Sequence, residues 1–283
     1  MKKMSLLSLG IISFSALTLG APAVFADEIT PEAQSEATVL FEANNTDEKP
    51  PVVPPTDGGD KEGEIDEKET DGNTGDGNAS FNIAMVSNFR FNDRADDDGE
   101  DGFNFTKFKP IKLNGNGMTL WAKGTQLGVK LKGDEDTTIY KNIPNFVQVV
   151  DNRGELSGWN LSVTATPFEG KNKAGEDVSL NGAVLSLNNM SLKGPAEVAA
   201  PNIMNDEFTL GTDSSVLMSA NPKAGTGSWS LKFGGEEITT QTYGTLVQNT
   251  GVKLDIPAKA QPQADVPYKS TLTWVLADGP VSE

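Results

Sequence analysis

Carboxylates are the most abundant side chains in this sequence that could do acid–base chemistry. The 283 residues include 40 Asp and Glu but no His and no Cys. Without His the chain cannot build an imidazole base or a Ser-His-Asp triad. Without Cys it has no thiol nucleophile, disulfide or thiolate metal site. Any catalysis would therefore depend on carboxylates, hydroxyls, Lys or Arg.

Two carboxylates that flank a glycosidic bond are the arrangement that hydrolyses polysaccharides. Asp151 and Glu155 are the candidate pair, because they lie shortly before Trp159. Neither stands in an apolar context that would raise its pKa, as a general acid requires, and a turn accounts for both. We therefore expect no enzymatic activity and no cofactor. A secreted polysaccharide hydrolase stays as the least favoured hypothesis.

The acidic run at 93–101 has the density of carboxylates that Ca²⁺ binds. In an EF-hand loop, however, an acid would stand where this chain has Arg94, and a closing Glu where it has Phe105. We interpret 93–101 as a solvated loop and predict no metal site.

Tryptophans are candidates for sugar contact, because the apolar face of a pyranose stacks on a flat aromatic ring. Trp159 and Trp274 each have a Leu two residues further on. In a strand the Trp and the Leu then point to the same side. Since Leu gains nothing from facing a glycan in water, we favour core packing for both pairs, with sugar contact left open. We also expect Trp121 and Trp229 to be packing residues.

Short segments of alternating apolar and polar residues begin at residue 81. Alternation with period two indicates strands with one buried face. Clusters of Gly, Asn, Asp and Pro separate them, and no segment has a convincing 3.6-residue period. The sequence predicts an all-β fold, an antiparallel β-sandwich or barrel-like single domain over 81–283. The clearest predicted strands are 81–86, 126–131, 159–164, 183–187, 229–233, 252–256 and 272–276.

Residues 1–80 differ in composition from the rest. We interpret 1–26 as a signal peptide that is cleaved after Ala26, because two lysines precede a short apolar run that ends in small residues. Residues 27–80 form an acidic Pro/Gly-rich leader that carries most of the net charge of −17. We expect 57–79 to be mobile. The segment 37–42 is either a strand paired with the main domain or part of a disordered leader.

The strong acidity argues against a nucleic-acid partner, whose phosphates need a basic surface.

The C-terminus reads YKSTLTWVLADGP from Tyr268 to Pro280. It resembles the distal motif YxxxLTWxLxxxP of WxL-domain proteins. A second W-x-L, Trp159-Asn-Leu161, follows an Asp-x-Arg-Gly lead-in at 151–154 that is also similar to the family. The signal peptide, a Val-Leu-Phe segment and the Pro-rich stretch extend the resemblance over nearly the whole chain. The distal motif matches at every specified position: Tyr268, Leu272, Thr273, Trp274, Leu276 and Pro280.

The resemblance implies a secreted surface protein that attaches non-covalently to the peptidoglycan of the Gram-positive cell wall. The two motifs would then be either peptidoglycan-binding or fold-defining. Tyr268 has the same parity as Trp274, and we expect its hydroxyl to close a corner hydrogen bond rather than to touch ligand.

Family members are often encoded beside a membrane-anchored WxL-interacting protein, other WxL proteins and small sortase-anchored proteins. The resemblance therefore implies surface complexes and, in some species, contact with host extracellular matrix. The alternative is an assembly protein that binds mainly the WxL-interacting protein and has only indirect wall contact. One departure is Phe89-Arg90-Phe91, followed by the acidic insertion, where members usually have a short Phe-Gly turn. This puts a family contact at that loop in doubt.

Overall fold

The structure is a computed structural model in which nearly every described element is a strand. The chain divides into two compact units, Met1–Phe41 and Glu42–Glu283, and all described strands belong to the second. In the described part no helix is long and apolar enough to cross a membrane. The structure describes residues 39, 65–66, 71–73, 80–92, 109–113, 115–131, 134–234 and 248–281.

The strands are short and follow one another closely. In chain order they are β1 (Ile65–Asp66), β2 (Gly72–Asn73), β3 (Phe81–Ser87), β4 (Met118–Lys123), β5 (Thr125–Leu131), β6 (Asp134–Ile143), β7 (Asn145–Asp151), β8 (Trp159–Ala165) and β9 (Glu169–Lys171). They continue as β10 (Asp177–Ser179), β11 (Val184–Asn188), β12 (Met190–Lys193), β13 (Asn202–Ile203), β14 (Glu207–Leu210), β15 (Ser215–Ala220), β16 (Gly227–Phe233), β17 (Gln248–Ile256) and β18 (Leu272–Asp278). Within the described ranges one 3-10 turn, Ala258–Ala260, follows β17.

The described strands form antiparallel sheets, and none of these sheets closes on itself. The three largest have the orders β14-β11-β17-β4, β12-β16-β7-β3-β2 and β13-β15-β8-β18. Two smaller sheets have the orders β1-β5-β6 and β10-β9. The predicted all-β antiparallel fold is confirmed, as packed open sheets rather than a closed barrel.

One apolar cluster holds the three largest sheets together. Each of them turns alternate side chains into it, so the cluster is the filling between layers that a sandwich requires. Its fully buried members include Val147, Trp159, Leu187, Leu217 and Leu231.

All seven of the clearest predicted strands are present, because one buried face leaves a readable alternation in the sequence. The segments at 81–86, 159–164 and 272–276, for example, become β3, β8 and β18. The structure adds β7, which the alternation did not predict. Every residue of β7 is buried, and a strand covered on both faces has no polar face to alternate with.

Part of the acidic leader pairs with the domain. β1 is antiparallel to β5 and β2 is antiparallel to β3. Asp71 is buried and binds Arg90 through both carboxylate oxygens, each at 3.1 Å. The alternation pattern did not predict these two strands, because edge pairing uses backbone groups and needs no apolar side chain. The mobility of 57–79 stays a prediction. The predicted signal peptide, cleavage site and 37–42 strand lie outside the described residues, apart from Val39.

A buried polar network joins three of the sheets. Asn145 is fully buried; its Nδ2 donates to Thr125 Oγ1 at 3.0 Å, and its Oδ1 accepts from Asn249 Nδ2 at 2.6 Å. Thr125 in turn donates to Ser87 Oγ at 2.6 Å. Each of these polar groups has a partner away from water, so the network fixes how β3, β5, β7 and β17 meet.

Replacing Asn145 by Ala should destabilise the fold, because it leaves buried partners on Thr125 and Asn249 unsatisfied. We expect a loss of about 1–3 kcal/mol in the free energy of unfolding, measured by urea denaturation. Asn152→Ala, at an exposed turn position, is the matched control and should change stability by less than about 0.5 kcal/mol. Equal effects of the two substitutions would contradict the role of the network.

Candidate functional site

The fold brings the two W-x-L motifs together on neighbouring antiparallel strands. In the pairing of β18 with β8, Leu276 lies opposite Leu161 and Trp274 lies opposite Val163. Residues directly opposite each other in such a pair point to the same face of the sheet. The Trp and Leu side chains of both motifs therefore share one face, and that face is turned toward the main core.

Trp159 and Leu161 lie in the interior, where no ligand could reach them. Both are 0% exposed, and the Trp159 indole Nε1 donates to the Gly225 carbonyl at 2.9 Å. Gly225 has φ +73, and a Cβ there would lie 2.6 Å from Nε1. A Gly is thus needed at position 225 for both the backbone conformation and the close approach of the indole.

The distal motif is less covered, because β18 lies at one edge of its sheet among the described strands. Leu272, Trp274 and Leu276 are half-buried and pack against the main core from its margin. The Trp274 ring lies 6.3 Å from the Phe233 ring between centroids, at an interplanar angle of 34°. Of the two motif tryptophans, only Trp274 has surface that a ligand could touch.

The two ends of the distal motif tie down the chain around β18. Before the strand, the backbone N–H of Gln263 donates to Tyr268 Oη at 3.0 Å, which is the expected corner hydrogen bond. After it, Pro280 is half-buried, and the neighbouring Gly279 N–H donates to the Gly158 carbonyl at 3.1 Å. Thr273 is exposed on the opposite face from Trp274.

Arg153, in the lead-in to the first motif, clamps the end of β18. Its guanidinium binds both carboxylate oxygens of Asp151, at 2.9 and 3.0 Å, and also binds Asp278 on β18. It donates to the Gly158 carbonyl at 3.0 Å and lies 3.7 Å from the centroid of the Phe81 ring. This side chain is only 12% exposed, so each of these contacts compensates a charge that is largely withdrawn from water.

The clamp also changes the protonation equilibria of its members. The hydrogen bond to Asp151 raises the pKa of Arg153 above its ordinary value, and Asp278 adds to this against the opposing effect of burial. Hydrogen bonds from the Ser157 hydroxyl and from Arg153 lower the pKa of Asp278. Arg153 and Asp278 are therefore both charged at neutral pH.

The residues between the motif positions form the outer face of the same sheet. Asn160, Ser162 and Thr164 on β8 lie beside Thr273 and Val275 on β18. We call these five residues the WxL outer face; they are half-buried or exposed, and Val275 is 49% exposed. No charged residue stands at these five positions. Hydroxyls, an amide and one apolar side chain are groups that can contact an uncharged glycan.

The candidate catalytic pair has no catalytic geometry. Asp151 is buried and held by Arg153, whereas the Glu155 side chain is 64% exposed in the following turn. The described residues contain no group of acidic residues placed to hold a metal ion, and 93–101 lies outside them. At the departure from the family pattern, Phe89 packs edge-on against Phe233 with ring centroids 5.9 Å apart.

The expectation for Trp229 is confirmed and that for Trp121 is wrong. Trp229 is 4% exposed and belongs to the main core. Trp121 is only half-buried and packs against none of the three core clusters of the described residues. Its neighbours Leu120 and Ala122 on β4 are the ones that face inward, so Trp121 points to the other side of the sheet.

The family comparison matches almost the whole chain. The model of the family described as "WxL domain surface cell wall-binding" covers residues 29–280. The chain belongs to the WxL family. No match was found among curated proteins or among solved structures. The resemblance of the motifs is thus confirmed, and the WxL domain is a cell-wall-binding domain of the cell surface; its family is not an enzyme family.

The two WxL tryptophans should differ in what they contribute to stability. Trp159→Ala leaves a closed cavity and should cost about 3–5 kcal/mol of unfolding free energy. Trp274→Ala should cost about 1–2 kcal/mol, because the indole is already partly in water. Urea denaturation of both variants measures this, and equal losses would contradict the different burial of the two rings.

The Arg153–Asp278 pair predicts a pH-dependent stability. The folded-state pKa of Asp278 is lowered, so its contribution is present above the unfolded value of about 3.9 and is lost as pH falls through the folded value. Wild type should therefore have a higher Tm than Asp278→Asn at pH 7, and the difference should shrink below about pH 4. Asp213→Asn, at an exposed turn position, is the control. A difference that stays constant from pH 7 to pH 2 would rule out this linkage.

Proposed function

We propose that this WxL protein is secreted and attaches non-covalently to peptidoglycan through the WxL outer face. One observation supports the choice of face: the strands that carry both motifs present an uncharged surface of hydroxyl and amide groups, although the chain has a net charge of −17. The buried Trp and Leu residues hold this surface in place, and the side chains between them would contact the glycan.

The charge of the chain limits how it approaches the wall. Anionic teichoic acids should repel an acidic protein, and an uncharged contact face reduces this repulsion at the point of binding. Direct attachment predicts that binding rises with added salt, or after teichoic acid is removed. Added salt that weakened binding would contradict the repulsion argument.

A second candidate function is assembly with a membrane-anchored WxL-interacting protein. Among the described strands β18 pairs only with β8, and an edge strand can accept a further strand from a partner through its backbone. Other WxL proteins, sortase-anchored proteins and host matrix could then be held in one surface complex, with wall contact through the partner.

A charge placed on the WxL outer face should weaken direct wall binding. Thr273→Glu puts a carboxylate at an exposed position of this face, where it would lose hydration against a glycan. We expect the Kd for protein-free peptidoglycan sacculi to rise about tenfold, which corresponds to about 1.4 kcal/mol of binding free energy.

Thr212→Glu adds the same charge at an exposed position in the turn between β14 and β15, and it should bind like wild type. Circular dichroism and Tm show whether both variants are folded. Equal binding by the two variants would move the contact to another surface. If wild type did not bind sacculi unless the WxL-interacting protein was added, the assembly function would replace direct attachment.

A further inference from the structure

Among the described residues, Trp121 is the tryptophan that packs neither in nor against a core cluster. On β4, Met118 and Leu120 pack against one core cluster and Ala122 belongs to another. Trp121 alternates with them, so its indole lies on the outer face of the sheet β14-β11-β17-β4, where it is half-buried. The part of the ring that stays in water contributes nothing to folding, and a ligand that covered it would gain that burial.

Two groups with opposite charges stand beside this ring. Lys253 on β17 lies directly opposite Trp121, and Asp255 lies opposite Thr119. Lys253 Nζ is 3.1 Å from Asp255 Oδ2, and the two side chains are 26% and 40% exposed. Thr119 Oγ1 also donates to Asp255. The pair is neutral overall, yet it retains N–H groups and oxygen lone pairs for a ligand.

The exposed surface extends one strand further on one side only. Beyond Asp255 comes Val184 on β11, which is 37% exposed, whereas Ser186, beyond Lys253, is buried. Two strand-to-strand steps, from β4 through β17 to β11, make this surface about 10 Å across. We call Thr119, Trp121, Val184, Lys253 and Asp255 the Trp121 platform. It is longer than one sugar ring.

We propose that the Trp121 platform binds an uncharged polysaccharide built from pyranose rings. The apolar C–H face of one ring would stack on the indole, and neighbouring hydroxyl or acetamido groups would accept from Lys253 and donate to Asp255. A neutral ion pair gives no advantage to a charged ligand, and the acidity of the whole chain disfavours an anionic one. The site lies on a different sheet from the WxL outer face, so the inference does not depend on the proposed wall contact.

Titration of the purified protein with soluble glycans tests the platform. The probes are the tetramer of N-acetylglucosamine and cellotetraose. Isothermal calorimetry and tryptophan fluorescence measure their binding. Wild type should bind at least one of them, with a change in fluorescence. Trp121→Ala should weaken binding about tenfold or more, as truncation of a central Trp does. Trp121→Phe should retain part of the affinity, and Asp255→Asn should weaken it.

Asp213→Asn, at an exposed turn position outside both surfaces, is the matched control for Asp255→Asn and should bind these glycans like wild type. If Trp121→Ala proves unfolded by circular dichroism, the Trp121→Phe and Asp255→Asn variants carry the test. Absence of binding by wild type to either probe, or equal affinity in wild type and the folded variants, would overturn the proposal. So would a dimer of wild type that dissociates in Trp121→Ala, because a second copy would then cover the face.

Sacculus binding by Trp121→Ala and Thr273→Glu separates the two sites. If Trp121→Ala loses sacculus binding and Thr273→Glu keeps it, the platform is supported as the glycan site, and the WxL outer face is no longer the wall contact. If Thr273→Glu loses sacculus binding while Trp121→Ala loses only the soluble glycans, both sites stand.

Discussion

The antiparallel pairing of β18 with β8 is the constraint on which the rest of the site depends. The edge strand has one neighbour among the described strands, so the register of that single pair decides which side chains face the core. A slip by one residue would bury Thr273 and Val275 and expose Trp274. The Arg153 clamp at the end of the pair opposes such a slip, because it binds Asp151 before β8 and Asp278 at the end of β18. The Trp and Leu positions of the motif thus face the core, and the residues between them face away from it.

Charge is distributed in a way that suits attachment to an anionic wall. The leader carries most of the negative charge, while the WxL outer face has none at its five positions. Arg153 is the cation that the fold withdraws furthest from water at this site, and two carboxylates, a carbonyl and an aromatic ring surround it. Such a site is built for structure rather than for ligand capture, since its hydrogen-bonding groups are already occupied.

The sequence predicted the elements whose alternation survives in the folded state. β3, β8 and β18 each have one buried face. Because residues two apart in a strand point to the same side, the sequence was enough to put Trp159 on the same face as Leu161 and Trp274 on the same face as Leu276. It failed for β7, which is buried on both faces, and for β1 and β2, which pair through their backbone. The sequence analysis also misplaced Trp121. Alternation shows which residues share a face of a strand, but it does not show which of the two faces the core will cover. The Asn145 network depends on side chains far apart in sequence, so no local sequence pattern predicts it.

Site-specific photo-cross-linking to protein-free sacculi tests most directly whether the WxL outer face is the wall contact. A photoreactive residue at Val275, which is 49% exposed on that face, would be compared with one at Leu113, which is 48% exposed elsewhere. Our account predicts that irradiation attaches the protein covalently to sacculi from position 275 and not from position 113. Equal attachment from both positions, or none from 275 while the protein still binds sacculi, would contradict it.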